Sequence, residues 1–108
     1  MIELKISEAA SLSIVEQAEY YEQAAEHTLA LRWEKAIGEA IHGLLKMPES
    51  GAPCRLSSPA LANLRWTPVA GFPKHMIFYR YSAQEQILLI IQVLHGARDL
   101  EAILSEGE

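Results

Sequence analysis

The hydrophobic pattern of the first half of the chain predicts one strand and two helices. Residues 2–6 alternate apolar and polar side chains, as a half-buried strand does. Ser7 follows and can cap a helix, and apolar residues then recur at steps of three and four over roughly residues 8–25. A second stripe with the same spacing covers residues 29–45 and is stopped by Pro48. A strand followed by a helical hairpin is therefore predicted.

The pattern changes to alternation from residue 55 onwards. Three segments have the composition of strands: "NLRWTPV" (63–69), "KHMIFYRY" (74–81) and "ILLIIQVL" (87–94). Because of Pro68, part of the first segment is expected to lie at a sheet edge or in a bulge. The intervening "AGFP" and "SAQEQ" are turns, so the three strands form an antiparallel meander. The last strand is apolar on both faces and is therefore predicted to lie inside the sheet, beneath the helices.

These elements together predict an α+β fold with the order β-α-α-β-β-β. The helical hairpin packs on one face of a small, mainly antiparallel sheet, and residues 1–108 form a single domain. The segment "PESGAP" between the hairpin and the meander reads as a turn. Gly38 and Gly43 weaken the second helix by up to ~1 kcal/mol each. Close packing against the first helix would explain them. Tyr20, Tyr21 and Trp33 are predicted to pack in the core or between the helices.

The charge distribution changes the interpretation of an acidic chain. The net charge is −5, but residues 50–98 carry five basic side chains and one acidic one, for a sum of +4. Residues 1–49 and 99–108 sum to −5 and −4. We therefore expect a locally cationic surface on an acidic body.

The cysteine and histidine content limits the possible cofactors and compartments. The single cysteine, Cys54, rules out an internal disulfide and suits a reducing cytoplasm. The four histidines are scattered without metal-ligand spacing, so neither a metal nor another cofactor is expected. The first residues do not read as a signal peptide, and no apolar run approaches the ~20 residues of a membrane span.

A compact polar group, "HGARD", follows the last apolar strand. His95 and Arg98 from this group, with Arg65, Lys74 and Arg80, are the candidate residues for contact with a target or partner. We expect Arg65 and Arg98 to meet, because their segments should be adjacent in the meander. Two guanidinium groups at close range need an answering carboxylate or phosphate. The alternative is structural: His95 caps the strand, and Arg98 pairs with a neighbouring acid at the surface.

Several motifs of this chain are similar to those of a known family. They are Arg65 at the start of its strand, the aromatic strand from His75 to Arg80, the ending "VLHGARD", and the β-α-α prelude closed by a proline. With this element order the chain resembles the RelE/ParE superfamily of bacterial type II toxins, and specifically its ParE branch. The resemblance implies a toxin of a plasmid-stabilisation-like system, with DNA gyrase as target. It also implies a cognate antitoxin, expected to be of the ribbon-helix-helix type, encoded beside the toxin.

RelE-like relatives instead cleave mRNA on the ribosome, so the resemblance leaves two activities to weigh. A ribonuclease needs a proton acceptor, a proton donor and cations, for which His95, Arg65 and Arg98 are the candidates. The resemblance to RelE-like toxins implies a tyrosine near the C-terminus, but no tyrosine follows Asp99 in this chain. Three glutamates follow it instead, and acidic side chains repel an RNA substrate. An inhibitor of gyrase needs no catalytic residue. A non-toxic relative that only binds an antitoxin is the third hypothesis.

Overall fold

The computed structural model describes residues 1–24, 27–54 and 63–95. These residues form two helices and five strands. In chain order they are β1 (Glu3–Ile6), α1 (Glu8–Ala24), α2 (His27–Lys46), β2 (Ala52–Pro53), β3 (Arg65–Val69), β4 (Phe72–Ser82) and β5 (Ile87–His95). The predicted α+β architecture is confirmed, with the helical hairpin packed on one sheet.

The sheet has the strand order β1-β5-β4-β3-β2. β2, β3, β4 and β5 pair antiparallel with their neighbours, whereas β1 pairs parallel to β5. β5 therefore lies between two strands, as its apolar sequence predicts. The ladder is irregular between Pro68 and Val69, where the sequence predicted a bulge, and between Phe78 and Tyr79.

The first helix begins where its capping residue predicts. The Ser7 hydroxyl accepts a hydrogen bond from the Ala10 backbone N–H at 3.0 Å, which satisfies one of the free donors of the first turn. The same hydroxyl donates to the Ile91 carbonyl at 2.6 Å. The start of α1 is thereby tied to the middle of β5.

The main core lies between the hairpin and the sheet. The apolar stripe of α2 contributes Trp33, Ile37 and Ile41, which belong to one buried cluster with Tyr79 and Ile90 of the sheet. A second, smaller cluster of Leu64, Phe78 and Leu94 occupies the other face of the sheet. Alternation along β4 explains this division, because successive side chains of a strand point to opposite faces.

Two local predictions need correction. The segment "PESGAP" does turn at Pro48 and Glu49, but its last two residues form β2, in which Ala52 pairs with Trp66. Gly38 and Gly43 are exposed on α2, and a Cβ at either position would have no atom within 4 Å, so close packing against α1 does not explain them. None of the helices in the described ranges is long and apolar enough to cross a membrane.

Candidate functional site

The predicted site residues do not gather at one point. Arg65 opens β3 opposite Tyr79, whereas His95 closes β5 opposite His75. Four residues of β4 and two strand spacings separate the two positions, a distance of about 16 Å. The expected adjacency of the segments that carry Arg65 and Arg98 is wrong as far as His95, the last described residue before Arg98, because β3 and β5 both run antiparallel to β4. The start of β3 and the end of β5 are therefore at opposite ends of the sheet.

The remaining candidates are also divided. Arg80 follows Tyr79 on β4 and so points to the face of the sheet away from the helices. Lys74 is exposed near the His75 end of the same strand. Arg98 and the rest of "HGARD" after His95 lie outside the described residues.

Arg65 is engaged by the protein's own backbone. Its guanidinium donates hydrogen bonds to the carbonyls of Gly51, at 2.8 Å, and Glu49, at 3.2 Å. Both acceptors belong to the segment that links α2 to the sheet. This arrangement favours a structural role for Arg65 at this end of the sheet.

Tyr79 completes the same arrangement, which we call the 48–51 latch after the residues it holds. Its hydroxyl accepts a hydrogen bond from the Gly51 N–H and donates one to the Pro48 carbonyl, both at 2.9 Å. Burial raises the pKa of the Tyr79 hydroxyl above its usual 10.0, although the Gly51 hydrogen bond and the Arg65 charge oppose the increase. The hydroxyl therefore stays protonated and able to donate at neutral pH.

The other end of the sheet contains a cavity of about 540 Å³. It is bounded by α1, by Trp33 of α2 and by the ends of β4 and β5. The residues around it are Ser13, Glu16, Gln17, Tyr20, Tyr21, Trp33, Gly71, Phe72, Pro73, Lys74, His75, Val93 and His95. We call this cavity the aromatic pocket, because six of these side chains carry aromatic rings.

The rings of the aromatic pocket contact one another in tilted and edge-to-face pairs. The His75 ring lies 4.7 Å from that of Trp33 and 5.3 Å from that of His95, measured between centroids. Phe72 lies 5.2 Å from Trp33 and 5.6 Å from Tyr21. These separations are within the range of favourable aromatic pairs. The wall formed by these rings is therefore well packed.

Hydrogen bonds hold the pocket's wall in position. The Trp33 indole N–H donates to the Ile14 carbonyl at 3.1 Å, which fixes α2 against α1. The Ser13 hydroxyl donates to the Gln92 side-chain oxygen at 2.9 Å, and that oxygen also accepts the Val93 N–H at 3.0 Å. These bonds join α1 to α2 and to β5 beside the pocket.

The pocket carries charge of both signs at its edge. Lys74 supplies a cation and Glu16 a carboxylate, and both side chains are exposed. His75 is 7% exposed, whereas His95 is half-buried. Within the described ranges, no group of three or more His, Cys, Asp or Glu side chains is placed to hold a metal ion. The arrangement suits an apolar ligand segment that also carries charge.

Sequence reasoning found only part of this pocket. Lys74 and His95 were candidates, but His75 was not, although its alternation with Ile77 and Tyr79 places it on the helix-facing side of β4. Trp33 is buried in the core as predicted. Tyr20 is 62% exposed, so the prediction of a packed side chain is wrong for this residue.

Comparisons with known proteins identify the family. The protein-family model for the ParE toxin of the type II toxin–antitoxin system parDE matches residues 4–100 of this chain. A search among curated protein sequences gives no match.

Solved structures with similar folds come from the same superfamily. One is from the chromosomal ParDE system of P. aeruginosa (TM-score 0.70, 17% identity, covering 88% of this chain and 96% of that one). Another is the YoeB/ParE toxin from Agrobacterium tumefaciens (TM-score 0.58, 18% identity, 87% and 98% covered). A third is from the E. coli RelBE complex (TM-score 0.54, 12% identity, 86% and 94% covered). The chain therefore belongs to the ParE branch of the RelE/ParE superfamily and is a toxin of the type II toxin–antitoxin class.

Proposed function

We propose that this toxin acts by binding and inhibiting DNA gyrase, and that a cognate antitoxin neutralises it. The observation that favours a protein-binding inhibitor is the separation of Arg65 from His95 by the width of β4 and four residues of its length. Two of the three residues that a nuclease of this chain would use are therefore apart. Gyrase as the target rests on membership of the ParE family.

A supercoiling assay tests this activity. Purified toxin is added to gyrase and relaxed plasmid, and the expected result is loss of supercoiling at micromolar toxin. Addition of the antitoxin encoded beside the toxin should restore the reaction. Unchanged supercoiling would contradict the proposal, and normal growth of cells that express the toxin without antitoxin would favour the non-toxic relative.

The aromatic pocket is the proposed seat of the antitoxin on this chain. Its aromatic wall accepts an apolar side chain, and Lys74 at its edge favours an acidic neighbour in the bound segment. An antitoxin segment that is both apolar and acidic can therefore satisfy the groove between hairpin and sheet. The antitoxin is expected to be a ribbon-helix-helix protein whose tail folds on binding.

Charge reversal at the pocket tests this placement. Lys74→Glu should weaken antitoxin binding at least about tenfold by removing an attraction and adding a repulsion. Lys35→Glu makes the same charge change on the exposed surface of α2 and should leave affinity within about twofold. Calorimetric titration measures both. If wild type and Lys74→Glu bind the antitoxin with equal affinity, the aromatic pocket is not the antitoxin site.

Ribosome-dependent mRNA cleavage is the second candidate, and one observation favours it. Lys74, His75 and His95 line a single cavity, and imidazole groups beside a cation can transfer protons during cleavage of a phosphodiester. If this is the activity, translating ribosomes given toxin should yield cut message, and His95→Gln should abolish the cuts. Intact message would exclude it.

A further inference from the structure

β1 is an exposed edge strand. Of the described strands only β5 pairs with it, and all four of its residues are exposed to solvent. Leu4 and Ile6 are 37% and 39% exposed although they face the helix side of the sheet, level with the buried Leu88 and Ile90. An edge with open backbone groups and apolar side chains is a template for another strand.

The backbone of β1 shows which groups are available for such pairing. The Glu3 N–H donates to Gln86 at 2.8 Å and the Ser7 N–H donates to Ile90 at 2.9 Å, so both point towards β5. The peptide groups of alternate residues point to opposite sides of a strand. The N–H and C=O groups of Ile2, Leu4 and Ile6 therefore point outwards.

The sequence of this edge is complementary to itself. In "IELKI" (2–6), antiparallel pairing centred on Leu4 places Leu4 opposite Leu4 of the other copy, and Ile2 opposite Ile6. Glu3 then faces Lys5 of the other copy, twice by symmetry. Ile2, Leu4 and Ile6 are the residues whose backbone groups point outwards. The Leu4–Leu4 pair and the two Ile2–Ile6 pairs therefore exchange N–H···O bonds, up to about six in total. Glu3 and Lys5 form the non-hydrogen-bonded pairs, whose side chains approach most closely.

We propose that β1 pairs with β1 of a second copy of this chain, around a two-fold axis through Leu4. The self-complementary charges of β1 favour a second copy of the chain as the partner, because a two-fold interface requires the same patch on both subunits. The pairing would join two five-stranded sheets into one. The paired edge is short, so the dimer belongs to the weak class of interfaces. It requires neither gyrase nor antitoxin.

Charge exchange gives a sharp test by sedimentation. The full-length wild-type chain should show concentration-dependent dimerisation between about 10 μM and about 1 mM, the range of weak interfaces. Lys5→Glu places like charges opposite each other at both symmetric positions and should weaken dimerisation about tenfold. The double variant Glu3→Lys/Lys5→Glu restores the opposite charges with reversed polarity and should dimerise within about twofold of wild type. Lys35→Glu on α2 is the matched control and should leave dimerisation unchanged.

Three results would overturn the proposal. The first is a wild-type chain that remains monomeric up to about 1 mM. The second is dimerisation of Lys5→Glu equal to that of wild type, and the third is failure of the double variant to recover. If the chain is monomeric but Lys5→Glu weakens antitoxin binding, the edge receives an antitoxin strand and not a second copy. Circular dichroism of each variant confirms that the fold is retained.

Discussion

The 48–51 latch predicts that removing one oxygen atom from Tyr79 destabilises the fold. Tyr79→Phe keeps the buried ring but deletes the hydroxyl, which holds the Gly51 N–H and the Pro48 carbonyl at 2.9 Å each. Gly51 is buried, so its N–H is left without a partner at a cost of about 1–3 kcal/mol. The half-buried Pro48 carbonyl adds about 0.5–1 kcal/mol. We expect the free energy of unfolding to fall by about 2–3 kcal/mol.

Denaturant and thermal unfolding measure this loss. For a domain of this size it corresponds to a decrease of roughly 10–15 °C in the melting temperature. Tyr20→Phe is the matched control, because it deletes the same atom from a side chain that is 62% exposed. The control should change stability by less than about 0.5 kcal/mol. A loss below about 0.5 kcal/mol in Tyr79→Phe would refute the reasoning, since water or a small shift would then replace both hydrogen bonds.

The pH dependence of unfolding gives a second test of the role of the Tyr79 hydroxyl. The unfolded chain releases the Tyr79 proton near its usual pKa of 10.0, whereas burial raises the pKa in the folded chain. Above that pH the unfolded state binds fewer protons, so stability falls as pH rises. The contribution is fully present below pH 10, and it is absent from Tyr79→Phe. The wild type should therefore lose stability more steeply than the variant above pH 10.

Three further predictions follow from local contacts. Gly51→Ala should destabilise the chain by about 1–3 kcal/mol in the same unfolding assays, because the new Cβ would contact the Tyr79 side chain and lie 2.8 Å from the Trp66 carbonyl oxygen. Gly38→Ala and Gly43→Ala should each stabilise the fold, by up to about 1 kcal/mol, because nothing lies within 4 Å of the added methyl group; a loss of stability would contradict this. Burial raises the pKa of the Cys54 thiol above 9.0, so its alkylation at pH 8 should be several-fold slower in the folded chain than in denaturant, and equal rates would refute the prediction.

Much of the fold was predictable because its signals are local. The Ser7 cap, the stripe of α2 and the alternation of β4 each depend on residues a few positions apart, and each element begins and ends within a few residues of its prediction. β2 was missed because two residues carry no periodicity. Its pairing depends on β3, which is distant in the sequence.

The candidate site was predicted less well, for a reason that differs from residue to residue. The expected contact between Arg65 and Arg98 treats the first and third strands of the meander as neighbours, whereas β4 lies between them. The predicted meander already contained the correction, since its first and third strands must run in the same direction. The alternation of β4 indicated that His75 faces the helices, but His75 was not among the predicted site residues. Arg98 lies outside the described residues, so its proposed contact stays a prediction.

One end of β4 carries the 48–51 latch, and the other carries the aromatic pocket that we propose as the antitoxin site. At one end Tyr79 and Arg65 direct their polar groups to backbone carbonyls and an N–H of the 48–51 segment, so these groups are occupied by the fold itself. At the other end Lys74 is exposed beside the aromatic pocket. An arginine in a basic segment is therefore not by itself a sign of target contact, because the backbone can be its partner. Changes at the latch should lower stability, with affinity lost only in proportion to unfolding, whereas changes at the pocket should alter binding in a chain that remains folded.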